Sequence, residues 1–149
     1  LPIQILRLPG IYGPGRSALD SIMKGSSKMI DKPDQVFSRI HVDDIAGAVL
    51  FLINLYALGE RPNIVNIADN LPTSNIEVIS FAAKLAKKSL PSTIPFDIAE
   101  KTMSPMALSF WQENRRVDNN LLCRKLGYSL IYPDFKAGLK NCYSRLKLN

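Results

Sequence analysis

Apolar and polar positions fall into short blocks along this chain, brief extended stretches alternating with helical ones. Ile3 to Leu8 is apolar but for Gln4 and Arg7 and predicts a short buried strand. It runs into Pro9–Gly15, whose three glycines and two prolines are expected to exclude both helix and ladder. Ala18–Lys24 predicts a short helix closed near Gly25, and Gln35–Val42 a strand or extended approach. Asp43 or Asp44 is then expected to cap a helix carrying Ile45, Val49, Leu52, Ile53 and Tyr56. That helix is apolar around most of its circumference, the pattern of one packed deeply on several sides. Asn63–Ala68 reads as a parallel strand. Ser74 with Glu77 makes a capping box, and Val78, Phe81, Ala82, Leu85 and Ala86 follow at helical spacing. Pro91 and Pro95 mark a connector before a helix over Ser104–Gln112 with Pro105 in its first turn. Asp118 caps another, ending at Gly127, and a last helix from Asp134 lines up Phe135, Leu139, Cys142, Tyr143 and Leu146.

Three strands among helices predict an α/β chain. Three parallel strands make a poor sheet, and central parallel strands need cover on both faces. A chain opening inside a core strand is therefore expected to have partners on its N-terminal side, and to aggregate or dimerise through the bare edge without them. The 149 residues suit one domain. The longest apolar run, Ile45–Leu58, is too short to cross a bilayer, so the expected location is cytoplasmic, away from membranes. Cys123 and Cys142 lie on separate elements with no metal-ligand spacing around them, and read as buried free thiols. The net charge of +6 sits wholly in residues 76–149, which carry twelve Lys/Arg against six acids. Solvated helix faces account for it first and an anionic small ligand second. Nucleic acid, without aromatic interleaving or a binding motif, comes last.

The run Arg7-Leu8-Pro9-Gly10-Ile11-Tyr12-Gly13-Pro14-Gly15, then Arg39-Ile40-His41-Val42-Asp43-Asp44-Ile45-Ala46, then Arg115-Arg116-Val117-Asp118-Asn119 with Leu126-Gly127-Tyr128, resembles the C-terminal half of extended or atypical short-chain dehydrogenases, the NAD-dependent epimerase/dehydratase family. The resemblance implies an incomplete Rossmann-like fold over residues 1–149: the last parallel strands and the substrate-side helices, with the N-terminal cofactor-binding half absent. It implies that backbone around Pro9, Gly10 and Ile11 faces the nicotinamide of NAD or NADP, and that Arg16 lies near a nucleotide-sugar-like substrate. Arg39 and Arg115 are candidate anion contacts. Many nucleotide-sugar members carry an Arg-Asp pair where this chain has Phe37 and Ser38, so a cation that would grip a diphosphate is moved or missing.

No catalytic or metal-binding residue is expected within the chain. His41, the only histidine, introduces a helix, and Asp43 and Asp44 suit capping and the helix dipole better than acid–base or metal chemistry. The family's glycine fingerprint and its catalytic Tyr-x-x-x-Lys lie upstream of the matched region. Gly10–Gly15 lacks the fingerprint's spacing, and the matches at Tyr132/Lys136 and Tyr143/Lys147 read as accidental. Two functions follow as expectations. One is a part of an oxidoreductase or isomerase that supplies the substrate side and binds no cofactor alone, its partner being the missing half or a second copy. The other is a non-catalytic remnant or interaction module.

Overall fold

The computed structural model describes residues 3–147. Its strands form three separate parallel pairs, each three residues long. β1 (Ile5–Arg7) pairs with β5 (Ile64–Asn66), β2 (Gly10–Tyr12) with β4 (Arg39–His41), and β3 (Met29–Asp31) with β6 (Thr93–Pro95). The mixed α/β class is thus present, built from parallel pairs as in part of a Rossmann-like sheet. β2 corrects the expectation for the glycine–proline segment. Pro9 and Pro14 stand outside the three paired residues, so the ladder loses no donor, and the Gly10 N–H donates to the Ser38 carbonyl at 3.2 Å. β3 and β6 carry no alternating pattern long enough to announce them. β6 occupies the stretch expected to be only a connector, and a short α4 (Phe96–Ala99) follows it.

The helices are α1 (Ala18–Met23), α2 (Val42–Ala57), α3 (Asn75–Ala86), α5 (Pro105–Gln112) and α6 (Phe135–Leu146), with a π-type turn at Leu121–Lys125 where a regular helix was expected. Their starts are written in side chains. Ser17, Ser74, Ser104 and Asp134 each accept a backbone N–H in the first turn, and Ser74 with Glu77 closes the full capping box. The start of α2 differs from expectation: its cap is His41, whose Nδ1 accepts the Asp43 N–H at 3.1 Å.

Two cores result. Leu19, Ile22, Val78, Ala82, Phe135 and Leu139 knit α1, α3 and α6 together, while Ile40, Ala48, Leu52, Val65, Ile67 and Leu122 join α2 to β4 and β5. Glycines at two helix positions let rings approach closely. A Cβ on Gly138 would fall within 2.7 Å of two Tyr12 ring carbons, and one on Gly47 would meet the Tyr128 hydroxyl. α2 is not covered all round as its composition predicts. Val42, Ala46, Leu50, Ile53 and Ala57 form an apolar stripe open to solvent, with Leu50 61 % and Ile53 59 % exposed. β1 is likewise paired on one edge only among the described residues, and Ile3, Ile5 and Leu8 beside it are exposed. No helix among the described residues is long and apolar enough to cross a membrane.

Candidate functional site

The carboxyl ends of β1 and β5 meet the amino ends of β2 and β4, and the carboxyl end of a parallel pair is where open sheets offer loops to ligands. Backbone bonds sew them together: the Ile67 N–H donates to the Arg7 carbonyl at 3.0 Å and the Asp69 N–H to the Arg39 carbonyl at 2.8 Å. Gly10 lies opposite Arg39 in the β2–β4 register, and Tyr12 opposite His41. Of the residues expected to form a site, Gly10, Ile11 and Arg39 therefore sit together.

Arg39 is turned inward. Its Nη1 donates to the carbonyls of Phe37 at 2.8 Å and Thr73 at 3.0 Å, tying the β4 approach to the segment before α3. Burial pulls its pKa down, and the nearby Asp69 carboxylate opposes that pull. Asp69 is buried, its Oδ1 accepts the Leu71 N–H at 3.0 Å, and its Oδ2 has no partner among the described residues. Burial pushes its carboxyl up to about 7, against the pull of that N–H and of Arg39. Arg115 is elsewhere: it is exposed and ion-paired with Glu113 at 2.6 Å, and only its carbonyl reaches this region, accepting from Ser38 Oγ at 3.4 Å.

His41 is fully buried. With Nδ1 accepting from Asp43, the neutral ring carries its proton on Nε2, which lies 3.9 Å from the Cys142 sulfur. Tyr12 meets it edge-on at 5.2 Å between centroids and Tyr132 at 4.2 Å. Burial lowers the pKa of His41 and raises that of Tyr12. Asp44 corrects the capping expectation for the acidic pair. It is buried and aimed away from the helix start, its Oδ1 accepting the Tyr128 hydroxyl at 3.1 Å and the Ile131 N–H at 2.7 Å, and its Oδ2 the Tyr132 N–H at 2.9 Å. Asp43 instead meets Arg145 of α6 at 2.8 Å. Tyr132 is thus placed by a latch, and the Lys147 ammonium sits over the Tyr143 ring at 4.5 Å. No cluster of three potential metal ligands occurs among the described residues.

Two cavities flank this frame. One of about 450 Å³ lies between β2 and α1 and is lined by Ile11, Tyr12, Arg16, Ser17, Ser21 and Lys24 among others. The second, of about 360 Å³, is lined by Lys32, Gln35, Asn75, Trp111 and Arg116 among others. Arg16 therefore joins Ile11 at the first cavity, whereas Arg39 and Arg115 line neither. Lys24, the α1 serines and Asp69 were not singled out in the sequence. The position of Asp69 three residues past β5 was the available signal.

A dinucleotide finds only part of a cradle here. Pro9–Ile11 presents strand-end backbone with Ile11 exposed, enough for one flat ring. A Cβ on Gly10 would point at Ser38 and Arg39 and not into open space, so that glycine clears a sheet neighbour and leaves no socket for a ligand. The sequence holds no glycine-rich strand-to-helix turn for a pyrophosphate.

No protein-family profile matches the sequence, and no curated protein matches it. Among solved structures it is similar to a functionally unknown conserved protein from Silicibacter pomeroyi, at 38 % identity and a TM-score of 0.85 over 99 % of this chain and 50 % of that one. A human epimerase family protein with NADPH superposes at 20 % identity and 0.74, covering 93 % of this chain and 47 % of that one. The dTDP-glucose 4,6-dehydratase of Streptomyces venezuelae, with NAD bound, gives 18 % and 0.70, covering 100 % and 45 %. This chain has the fold of half such a protein. It spans about half the length of the structures it matches, and neighbours that carry a cofactor hold NAD or NADPH.

Proposed function

We propose that this chain is the C-terminal, substrate-side half of an NAD(P)-dependent epimerase/dehydratase-like oxidoreductase, completed by an upstream cofactor-binding half. The observation that carries the reading is a match at full length of this chain and half length of its neighbours, combined with a β1 edge and an α2 stripe left apolar and bare. A second body of similar size supplying parallel strands to β1 and a surface to Leu50 and Ile53 would bury both features at once.

In that assembly Pro9, Gly10 and Ile11 flank the nicotinamide, and Ile11 together with Arg16 turns the β2–α1 cavity toward it. The cofactor, when bound, accepts or returns a hydride at a substrate carbinol carbon. The groups of this chain hold and orient the substrate: the strand-end loop sets its distance from the ring, and the inward-turned Arg39 with the buried Asp69 and His41 fixes that loop. The proton-transferring tyrosine–lysine pair belongs to the upstream half. Neighbours named for dTDP- and UDP-sugars support a hydroxylated, anionic substrate as the class.

The test is calorimetric titration of NAD(H) and NADP(H) into two proteins. One is the 149-residue chain and the other is the product of the reading frame extended upstream through its DNA. The chain alone is expected not to bind, and the longer product to bind one cofactor at micromolar affinity. Micromolar binding by the chain alone, or a longer product that binds neither cofactor, overturns the reading.

A further inference from the structure

We propose that the β2–α1 cavity takes a small polyhydroxylated anion, a sugar acid or sugar phosphate without a nucleotide, gripped at its charged end by Arg16 and Lys24. The inference rests on the reading of this cavity as the substrate side of an oxidoreductase, and narrows the substrate class.

The charges come first. Arg16 and Lys24 both line the cavity, and neither ends in an ion pair among the described residues, where Arg115 and Arg145 do. Their N–H groups are therefore available donors. Asp20 is the one acid on the same wall, so the lining carries one net positive charge. That balance suits a single carboxylate or a phosphate monoester better than a diphosphate. Arg39 and Arg115 do not reach this wall, Arg39 donating to the Phe37 and Thr73 carbonyls and Arg115 pairing with Glu113, so Arg16 and Lys24 are the cations on hand.

The serines supply the complementary half. Ser17 Oγ donates to Asp20 Oδ2 at 2.6 Å, Ser21 Oγ to the Ser17 carbonyl at 3.4 Å, and Ser26 Oγ to the Ser21 carbonyl at 3.4 Å. Each hydroxyl has spent its proton inside the protein; Ser21 and Ser26 keep both oxygen lone pairs for an incoming donor, and Ser17, which also caps α1 by accepting the Asp20 N–H, keeps one. A row of acceptors beside two cationic donors matches a molecule with O–H groups along its length and an anion at one end. The volume of about 450 Å³ holds such a molecule with its solvent.

The probes are D-gluconate, D-glucose 6-phosphate, D-glucose and UDP-glucose, titrated into the longer product and into its Arg16→Gln and Lys24→Gln variants. Both side chains are at the surface, and unchanged melting temperatures will show that the variants are folded. Gluconate or glucose 6-phosphate is expected to bind, glucose at least tenfold more weakly, and each variant to lose about tenfold for the anion with glucose unaffected. The tighter of the two anions identifies the charged end as carboxylate or phosphate. UDP-glucose binding more tightly than either, or anion binding indifferent to both variants, or no binding by any probe at millimolar concentration, overturns the proposal. Cofactor binding is read in the same preparations. NAD(P) binding without anion binding sinks this inference alone, and anion binding without NAD(P) binding sinks only the oxidoreductase reading.

Discussion

Replacing Asp44 by alanine strips the acceptor from three donors at once: the Tyr128 hydroxyl and the N–H groups of Ile131 and Tyr132. A buried donor left without a partner costs about 1–3 kcal/mol, and hydrogen bonds to a charged group sit toward the upper end. The segment near Ile131 is close to the surface, so the two backbone donors recover some hydration and fall toward the lower end, about 1 kcal/mol each. The tyrosine hydroxyl can turn to the Asp44 carbonyl, already 3.3 Å away, and contributes about 1 kcal/mol more. The expected loss for Asp44→Ala is therefore about 3 kcal/mol. Asp44→Asn keeps one acceptor oxygen but sets an amide against an N–H, and is expected to lose about 2 kcal/mol. Urea titration followed by far-ultraviolet circular dichroism, at one protein concentration for all variants, gives the totals. Hydrogen exchange at the amides of Ile131 and Tyr132 should accelerate well beyond that of the α3 core. Losses below about 0.5 kcal/mol for both variants, the scale of ordinary surface substitutions, or unaltered exchange at those two amides, would refute the assignment of Asp44 as a latch.

The buried Asp69 gives a pH dependence. Its folded carboxyl titrates near 7 and an unfolded one near 3.8, so the folded state retains a proton that the unfolded state has lost. Stability from this group is fully present below about pH 4, falls as pH rises, and levels off above about 7, a change of about 2–4 kcal/mol. Asp69→Asn should flatten that slope in urea titrations across the window, and an unchanged slope would exclude Asp69 as its source. Gly138→Ala drives a methyl into the Tyr12 ring, and a loss of about 1–3 kcal/mol in the same assay is expected. The Cys142 thiol, buried and pushed up to about 11 by that burial, should stay unlabelled by a disulfide reagent at pH 8 until urea opens the core, and prompt labelling would place it at the surface. Isolated chain should self-associate through α2, and Ile53→Lys should shift it toward monomer in analytical ultracentrifugation. A monomeric parent chain would remove the case for a covered stripe.

What the sequence made legible was what neighbouring residues decide among themselves. The capping box of Ser74 and Glu77, the Asp134 cap and the Pro105 first turn need only four or five consecutive positions, and each element stands where its pattern puts it. The three-residue strands β2, β3 and β6 escaped because so short a ladder is defined by its partner and not by its own residues. Asp44 escaped for a related reason: its donors lie beyond residue 127, and adjacency to Asp43 pointed to a cap that His41 provides instead. At the site, the glycine–proline loop marked the right end of the sheet. Nothing local distinguished an arginine aimed at a cavity, as Arg16 is, from one bound to its own backbone, as Arg39 is.

All three strand pairs are parallel, and that has a kinetic consequence. No pair can zip up from a hairpin, since each must close a loop containing at least one helix before its first bond forms. β1 waits for Ile64 and β3 for Thr93, and the α1–α3 core lacks Phe135 and Leu139 until the last helix is made. Folding is therefore slow for the chain's length, and early species are helical with unpaired strands. On the ribosome, β1 emerges well before its partner Ile64–Asn66, and α6 closes the structure behind both.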